Sequence, residues 1–139
     1  MKKTLFILTL LMGLSVSGIH AQCGGSASKS ITPASIGIVI YSNEVETVWN
    51  AMRFANFSKE QGDTVSVFLL GKGVELDNLV KTENDLKEQT DAFLKNGGTI
   101  LGCETCLQSR KNDAPQICKF SSMSDLYDLV RKNKIVLTF

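Results

Sequence analysis

The sequence predicts an α/β domain with a mostly parallel five-stranded sheet and helices on both faces. Three observations predict it. Short apolar runs alternate with segments whose apolar residues recur at helical spacing. The first run, Ile36-Gly37-Ile38-Val39-Ile40-Tyr41, is continuously apolar, as a strand buried on both faces requires. The resulting order, β-α-β-α-β-α-β-α-β, is that of parallel strands joined by right-handed crossovers.

After the Ile36–Tyr41 strand, Asn43 and Glu46 have the spacing of a helix-capping box. Val45, Val48, Trp49, Met52 and Ala55 then mark one face of a helix that ends near Gly62. Residues Thr64 to Leu70 form the second strand, and Gly71-Lys72-Gly73 a tight loop. Residues Val74 to Val80 read as a short helix. Thr82 and Asp85 are spaced to cap the next, whose buried face is Leu86, Thr90, Phe93 and Leu94. Asn96-Gly97-Gly98 stops that helix, because glycine takes the left-handed capping conformation without strain.

Thr99 to Gly102 is the third strand, followed by a short helix to about Arg110. A fourth strand is expected near Ile117–Phe120, after the loop at Pro115. Ser122 and Asp125 should cap a helix burying Leu126, Leu129 and Val130, and Ile135–Phe139 is the last strand. Ligand chemistry in such sheets gathers at the carboxyl ends of the strands.

The first 21 residues read as an export signal. Lys2 and Lys3 precede the apolar stretch Leu5 to Leu14, which is shorter than the roughly 20 residues of a membrane span. Small residues then lead to a cut after Ala21. Cys23 raises the rival of a lipid anchor, against which Gln22 argues, since Gly, Ala or Ser usually precedes an acylated cysteine. Residues 22–35 form a flexible leader rich in Gly, Ser and Ala, and residues 36–139 the domain. The expected location is periplasmic or secreted. The net charge of +1, without a block of one sign, gives no footprint for nucleic acid. No integral membrane span is expected in the mature part.

The chemistry concentrates at Cys103-Glu104-Thr105-Cys106, where a strand gives way to a helix. Backbone N–H groups at a helix start favour negative charge, so a thiol there ionises more easily. Export permits disulfides, yet three of the four cysteines fall between Cys103 and Cys118, too close together for a stapling framework. Zinc usually wants four Cys or His ligands, and the only histidine, His20, is lost with the signal. Leu107, not His, follows Cys106, which argues against covalent haem. No cofactor and no metal is expected.

The C-x-x-C spacing fits a thioredoxin-type dithiol, but that fold carries its pair earlier in the chain. Cys118 reads first as a small buried hydrophobe. Lys72 and Arg110 could lower a thiolate pKa if the fold brings them close; otherwise they are solvated charges. Glu104 could tune or hinder ionisation. The sequon Asn56-Phe57-Ser58 falls inside a predicted helix and reads as accidental.

Three pieces of the chain, in order, resemble the DsrE/DsrF-like family. They are Ala51 to Ala55 with Gln61 to Val74, then Gly102-Cys103-Glu-Thr-Cys106-Leu107 with Arg110, and finally Ser122 to Val130 with Lys134 to Phe139. The resemblance implies a three-layer α/β/α Rossmann-like domain that assembles into homo-oligomers, trimers or hexamers, and handles sulfur. It matches Cys103 to the persulfide-bearing cysteine of sulfur-relay members, and Cys106 to the second cysteine of a C-x-x-C subgroup. Lys111 stands where that subgroup commonly has Gly, and relay members are typically cytoplasmic.

The leading expectation is therefore a protein that carries or exchanges sulfane sulfur or thiols through Cys103, with Cys106 as the resolving thiol. Its partner would be a sulfur or thiol donor or acceptor protein, or a small thiol. Such a protein could be a sulfurtransferase, a thiol-disulfide oxidoreductase or a carrier that does not turn over. The alternative is a non-catalytic oligomeric binding or assembly module with a passive Cys103–Cys106 disulfide.

Overall fold

The computed structural model describes residues 32–139. The expected signal peptide, most of the leader and the anchor question at Cys23 lie outside the described residues.

Five strands form one parallel sheet in the order β4-β3-β2-β1-β5. They are β1 (Ser35–Ile40), β2 (Thr64–Leu69), β3 (Thr99–Cys103), β4 (Lys119–Ser121) and β5 (Ile135–Thr138). The helices are α1 (Val45–Glu60), α2 (Leu76–Thr82), α3 (Asn84–Lys95), α4 (Glu104–Ser109) and α5 (Met123–Lys132). Strands β1 to β4 step one way across the sheet, and the β4-to-β5 connection returns across it. Right-handed crossovers of opposite direction place their helices on opposite faces. The three-layer α/β/α Rossmann-like fold follows.

The core is the uninterrupted apolar face of the central strands. Ile38, Ile40, Val67 and Phe68 are fully buried, together with Val48, Met52, Leu86 and Phe93 from α1 and α3. On the other face α5 crosses β1. Gly37 makes this crossing close: an added Cβ would lie 2.4 Å from Leu129 Cδ2.

Several boundaries depart from the sequence expectation, each for a local physical reason. The fourth strand starts later than Ile117 because the backbone N–H groups of Gln116 and Ile117 donate to the Asp77 carboxylate at 3.0 and 2.9 Å. Those donors are thus lost to the ladder. The cap of α1 is Glu44, which accepts from the Glu46 and Thr47 N–H groups, while Asn43 turns to Glu75. Glu83, not Thr82, precedes α3, and it makes no side-chain cap.

The Ser122–Asp125 capping box of α5 forms as expected. Val130 instead points outward, 47% exposed, and with Met123 and Tyr127 makes an apolar stripe on the outer face of α5. Gly97, at φ +75°, and Gly98 close α3 in a Schellman turn, donating to Leu94 and Phe93 carbonyls. Asn56 is buried and donates to Gln89, so the sequon is closed to modification. No helix among the described residues is long and apolar enough to cross a membrane.

Candidate functional site

The carboxyl ends of β1, β2 and β3 converge. The Gly71-Lys72-Gly73 segment, expected as a loop, is the first part of a 3-10 helix, Gly71–Glu75, that runs into α2. Two features seat it. Gly71 takes φ +56°, a left-handed conformation that favours glycine. Gly73 passes so close to β1 that a Cβ would lie 2.0 Å from the Ile40 carbonyl oxygen. Only glycine lets this segment reach the end of β3.

Cys103 is the last residue of β3 and the N-cap of α4. Cys106 follows on the first turn. The geometry differs from expectation in one respect that matters. Cys103 is buried, 4% exposed, and burial pushes its thiol pKa up, where a helix start alone would ease ionisation. The Cys106 thiol beside it raises it further, because a second sulfur favours the protonated form. The N–H groups of Cys106 and Thr105 pull the other way, but Cys103 accepts no full capping hydrogen bond. Burial outweighs what these N–H groups supply.

Cys106 is half-buried and better connected. The Gly71 N–H donates to its sulfur at 3.3 Å. The Arg110 Nη1 group donates to its carbonyl at 3.2 Å.

Arg110 does not serve a thiolate as the sequence suggested. Its Nε donates to Glu75 Oε1 at 2.8 Å, and Asn43 donates to Glu75 Oε2 at 2.8 Å. These contacts, that of Arg110 first, hold the Glu75 carboxyl below the usual range. Asn43, Glu75 and Arg110 thus bind the three strand ends together. Lys72 is exposed and acts on Glu75 only through its charge.

Cys118 lies apart from this chemistry. It is 7% exposed and packs on β3, where a Cβ at Gly102 would meet its sulfur at 2.5 Å. Burial, with Asp77 nearby, pushes its pKa up to about 11. This is the small buried hydrophobe the sequence suggested. Cys103, Cys106 and Cys118 are all free thiols. Among the described residues, no group of three or more His, Cys, Asp and Glu side chains converges as a metal site.

Sequence reasoning missed Glu75 and Asp77, and gave Asn43 a capping role in place of its contact with Glu75. Asp77 left a signal: it falls between Val74 and Val80 on the face that Leu76 and Val80 bury, where an unpaired carboxylate is costly. The Glu75–Arg110 pair left none, since the two are 35 positions apart.

The DsrE/DsrF-like family profile matches residues 34–139, which includes the whole sheet and both cysteines of the turn. The chain belongs to the DsrE/DsrF-like family. The crystal structure of the ychN protein from E. coli superposes with a TM-score of 0.66 at 17% identity, covering 78% of this chain and all of that one. A conserved protein of unknown function from Bacteroides thetaiotaomicron, BT1422, superposes with a TM-score of 0.63 at 19% identity, covering 76% of this chain and 95% of that one. At these identities the likeness is one of fold. Comparison with curated proteins gives no match.

Proposed function

We propose that this DsrE-like protein handles sulfane sulfur or thiols through the Cys103–Cys106 pair. The observation that carries the reading is the placement of two free thiols on one turn at the carboxyl end of β3, with the Gly71 N–H directed at one of them. Residues three apart on a helical turn share a face. Such a pair can accept a sulfur or a thiol on one cysteine and release it by closing a disulfide. The resemblance to relay members would give Cys103 the carrying role and Cys106 the resolving one; dithiol chemistry itself runs in either order. The same reading includes membership of the C-x-x-C subgroup, export to the periplasm or beyond, and a donor or acceptor that is a protein or a small thiol.

The test is intact mass after exposure of the reduced protein to polysulfide or oxidised glutathione. The expected result is a Cys103–Cys106 disulfide that external thiol reverses, lost when both are serine. A pair that stays reduced would remove the reading.

One observation favours the second reading, a non-catalytic oligomeric module. The stripe of Met123, Tyr127 and Val130 lies 61%, 64% and 47% exposed, an apolar surface of the kind that marks interfaces. Homo-oligomerisation, as trimer or hexamer, is compatible with either reading and is measured by light scattering.

A further inference from the structure

We infer that Cys106, not Cys103, is the thiol that attacks the incoming sulfur compound, and that the buried Cys103 acts second by attacking Cys106. The inference rests on the dithiol reading above and fixes its order of events.

Three features of the turn carry it. The first is access. Cys103 is 4% exposed and sealed at the end of β3, whereas Cys106 is half-buried on the outer side of the same turn. A donor sulfur must line up with the attacking sulfur along the S–S bond it breaks, and only Cys106 offers that approach. The second is the Gly71 N–H, which donates to the Cys106 sulfur at 3.3 Å and would stabilise charge there. This contact exists only because Gly71 and Gly73 allow the 3-10 segment to approach. The third is backbone support: the Arg110 Nη1 group holds the Cys106 carbonyl, and its Nε is held by Glu75. The raised pKa of Cys103 agrees with a thiol that stays protonated until its neighbour is loaded.

The Cys106 thiolate attacks the outer sulfur of a persulfide R–S–SH. The donor S–S bond breaks, R–S⁻ leaves with the electron pair, and Cys106 becomes a persulfide. Cys103 then gives its proton to water and attacks Cys106 Sγ. The bond from Cys106 to the carried sulfur breaks and hydrosulfide leaves with the pair. The two cysteines are oxidised to a disulfide and the sulfane sulfur is reduced to sulfide. A disulfide R–S–S–R reacts in the same order, releasing R–S⁻ at each step. An external thiol reductant, oxidised in turn, restores the pair.

The experiment uses oxidised glutathione as the probe in a Cys23→Ser background, with intact mass and peptide mapping. The Cys103→Ser variant is expected to keep one glutathionyl group on Cys106, because the second attack is gone. The Cys106→Ser variant is expected to acquire glutathione at Cys103 at least about tenfold more slowly. The opposite pattern, trapping on Cys103 alone, would overturn the order while preserving the dithiol function. Equal trapping on both would also overturn the order. Inertness of the unsubstituted pair would remove the dithiol function and the order together. Should a serine variant fail to fold, limiting iodoacetamide on the unsubstituted protein tests the same claim. Cys106 should be the first of Cys103, Cys106 and Cys118 to be alkylated, and any other first site would overturn the inference.

Discussion

Two regions of this domain hold buried sulfur and use it differently. At the end of β3, Cys103 and Cys106 share one turn and influence each other's ionisation, and the second is reached by a backbone donor and by solvent. Near β4, Cys118 fills the space over Gly102, and among the described residues no second thiol acts on it. Burial raises the pKa of both Cys103 and Cys118, so burial alone does not distinguish a chemical thiol from a structural one. A sulfur partner and an accessible neighbour do. The C-x-x-C spacing is legible because it guarantees the partner; it says nothing of access, which depends on how a distant segment folds over the turn.

The largest expected effect breaks the region around Cys118. Asp77 is 7% exposed and accepts from Asn112 Nδ2 at 2.9 Å as well as from the Gln116 and Ile117 N–H groups. The Asp77→Ala substitution leaves these donors without their charged acceptor. It should cost about 3 kcal/mol in denaturant unfolding, the scale of a lost charged hydrogen-bond set. It should also open Cys118 to alkylation while leaving the rate at Cys106 unchanged. A matching change at Cys106 would show that the two regions are one unit.

A smaller effect sharpens the assignment of Cys118 as filler. The Gly102→Ala substitution drives a Cβ against the Cys118 sulfur, with Leu107 Cδ1 at 3.0 Å on the other side. Overpacking of this kind costs roughly 1–3 kcal/mol. Combining it with Cys118→Ala should recover part of that cost, giving a favourable coupling in a double-mutant cycle. Strict additivity would mean that the sulfur is not what the new methyl meets.

Much of the fold was legible because its signals are local. The apolar runs that became β1, β2, β3 and β5 cover most of each observed strand, and the Gly97-Gly98 stop and the Ser122–Asp125 box act within one turn. The misplaced features have non-local causes. The start of β4 is set by Asp77, about 40 residues upstream. Asn43 abandons its expected capping role for Glu75, 32 positions away. Val130 keeps helical spacing with Leu126 but falls beyond the edge of the buried stripe centred on Leu129, since a single helix crossing β1 buries only a narrow stripe. At the candidate site, the residue types and the strand-to-helix junction were readable at Cys103 and Cys106. The burial of Cys103, and the Gly71 donor 35 positions before Cys106, were not.

The smallest expected effect tests the brace that steadies the thiol turn. Glu75 and Arg110 have side chains about a third exposed, 32% and 31%. Water and salt therefore screen the pair, and its stability contribution should be at most about 1 kcal/mol. Its pH dependence has a definite sign. Arg110, then Asn43, hold the folded Glu75 carboxyl below its usual value. The native state thus favours the ionised form more than the unfolded chain does. The stabilisation is fully present above the ordinary glutamate range, near about pH 4.3, and is lost as pH falls through the lower folded value. Denaturation midpoints of the unsubstituted protein and of Glu75→Gln should differ most near neutral pH and converge in acid. Arg110→Gln should remove the same pH-dependent part. If the difference instead grew in acid, the carboxyl would be favoured in its neutral form, and the brace joining α4 to the end of β2 would not be an ion pair. The brace also carries the Cys106 carbonyl, so either substitution should change the alkylation rate at Cys106 while leaving that at Cys118 unaltered. An equal change at both would trace the effect to general loosening of the fold rather than to the turn.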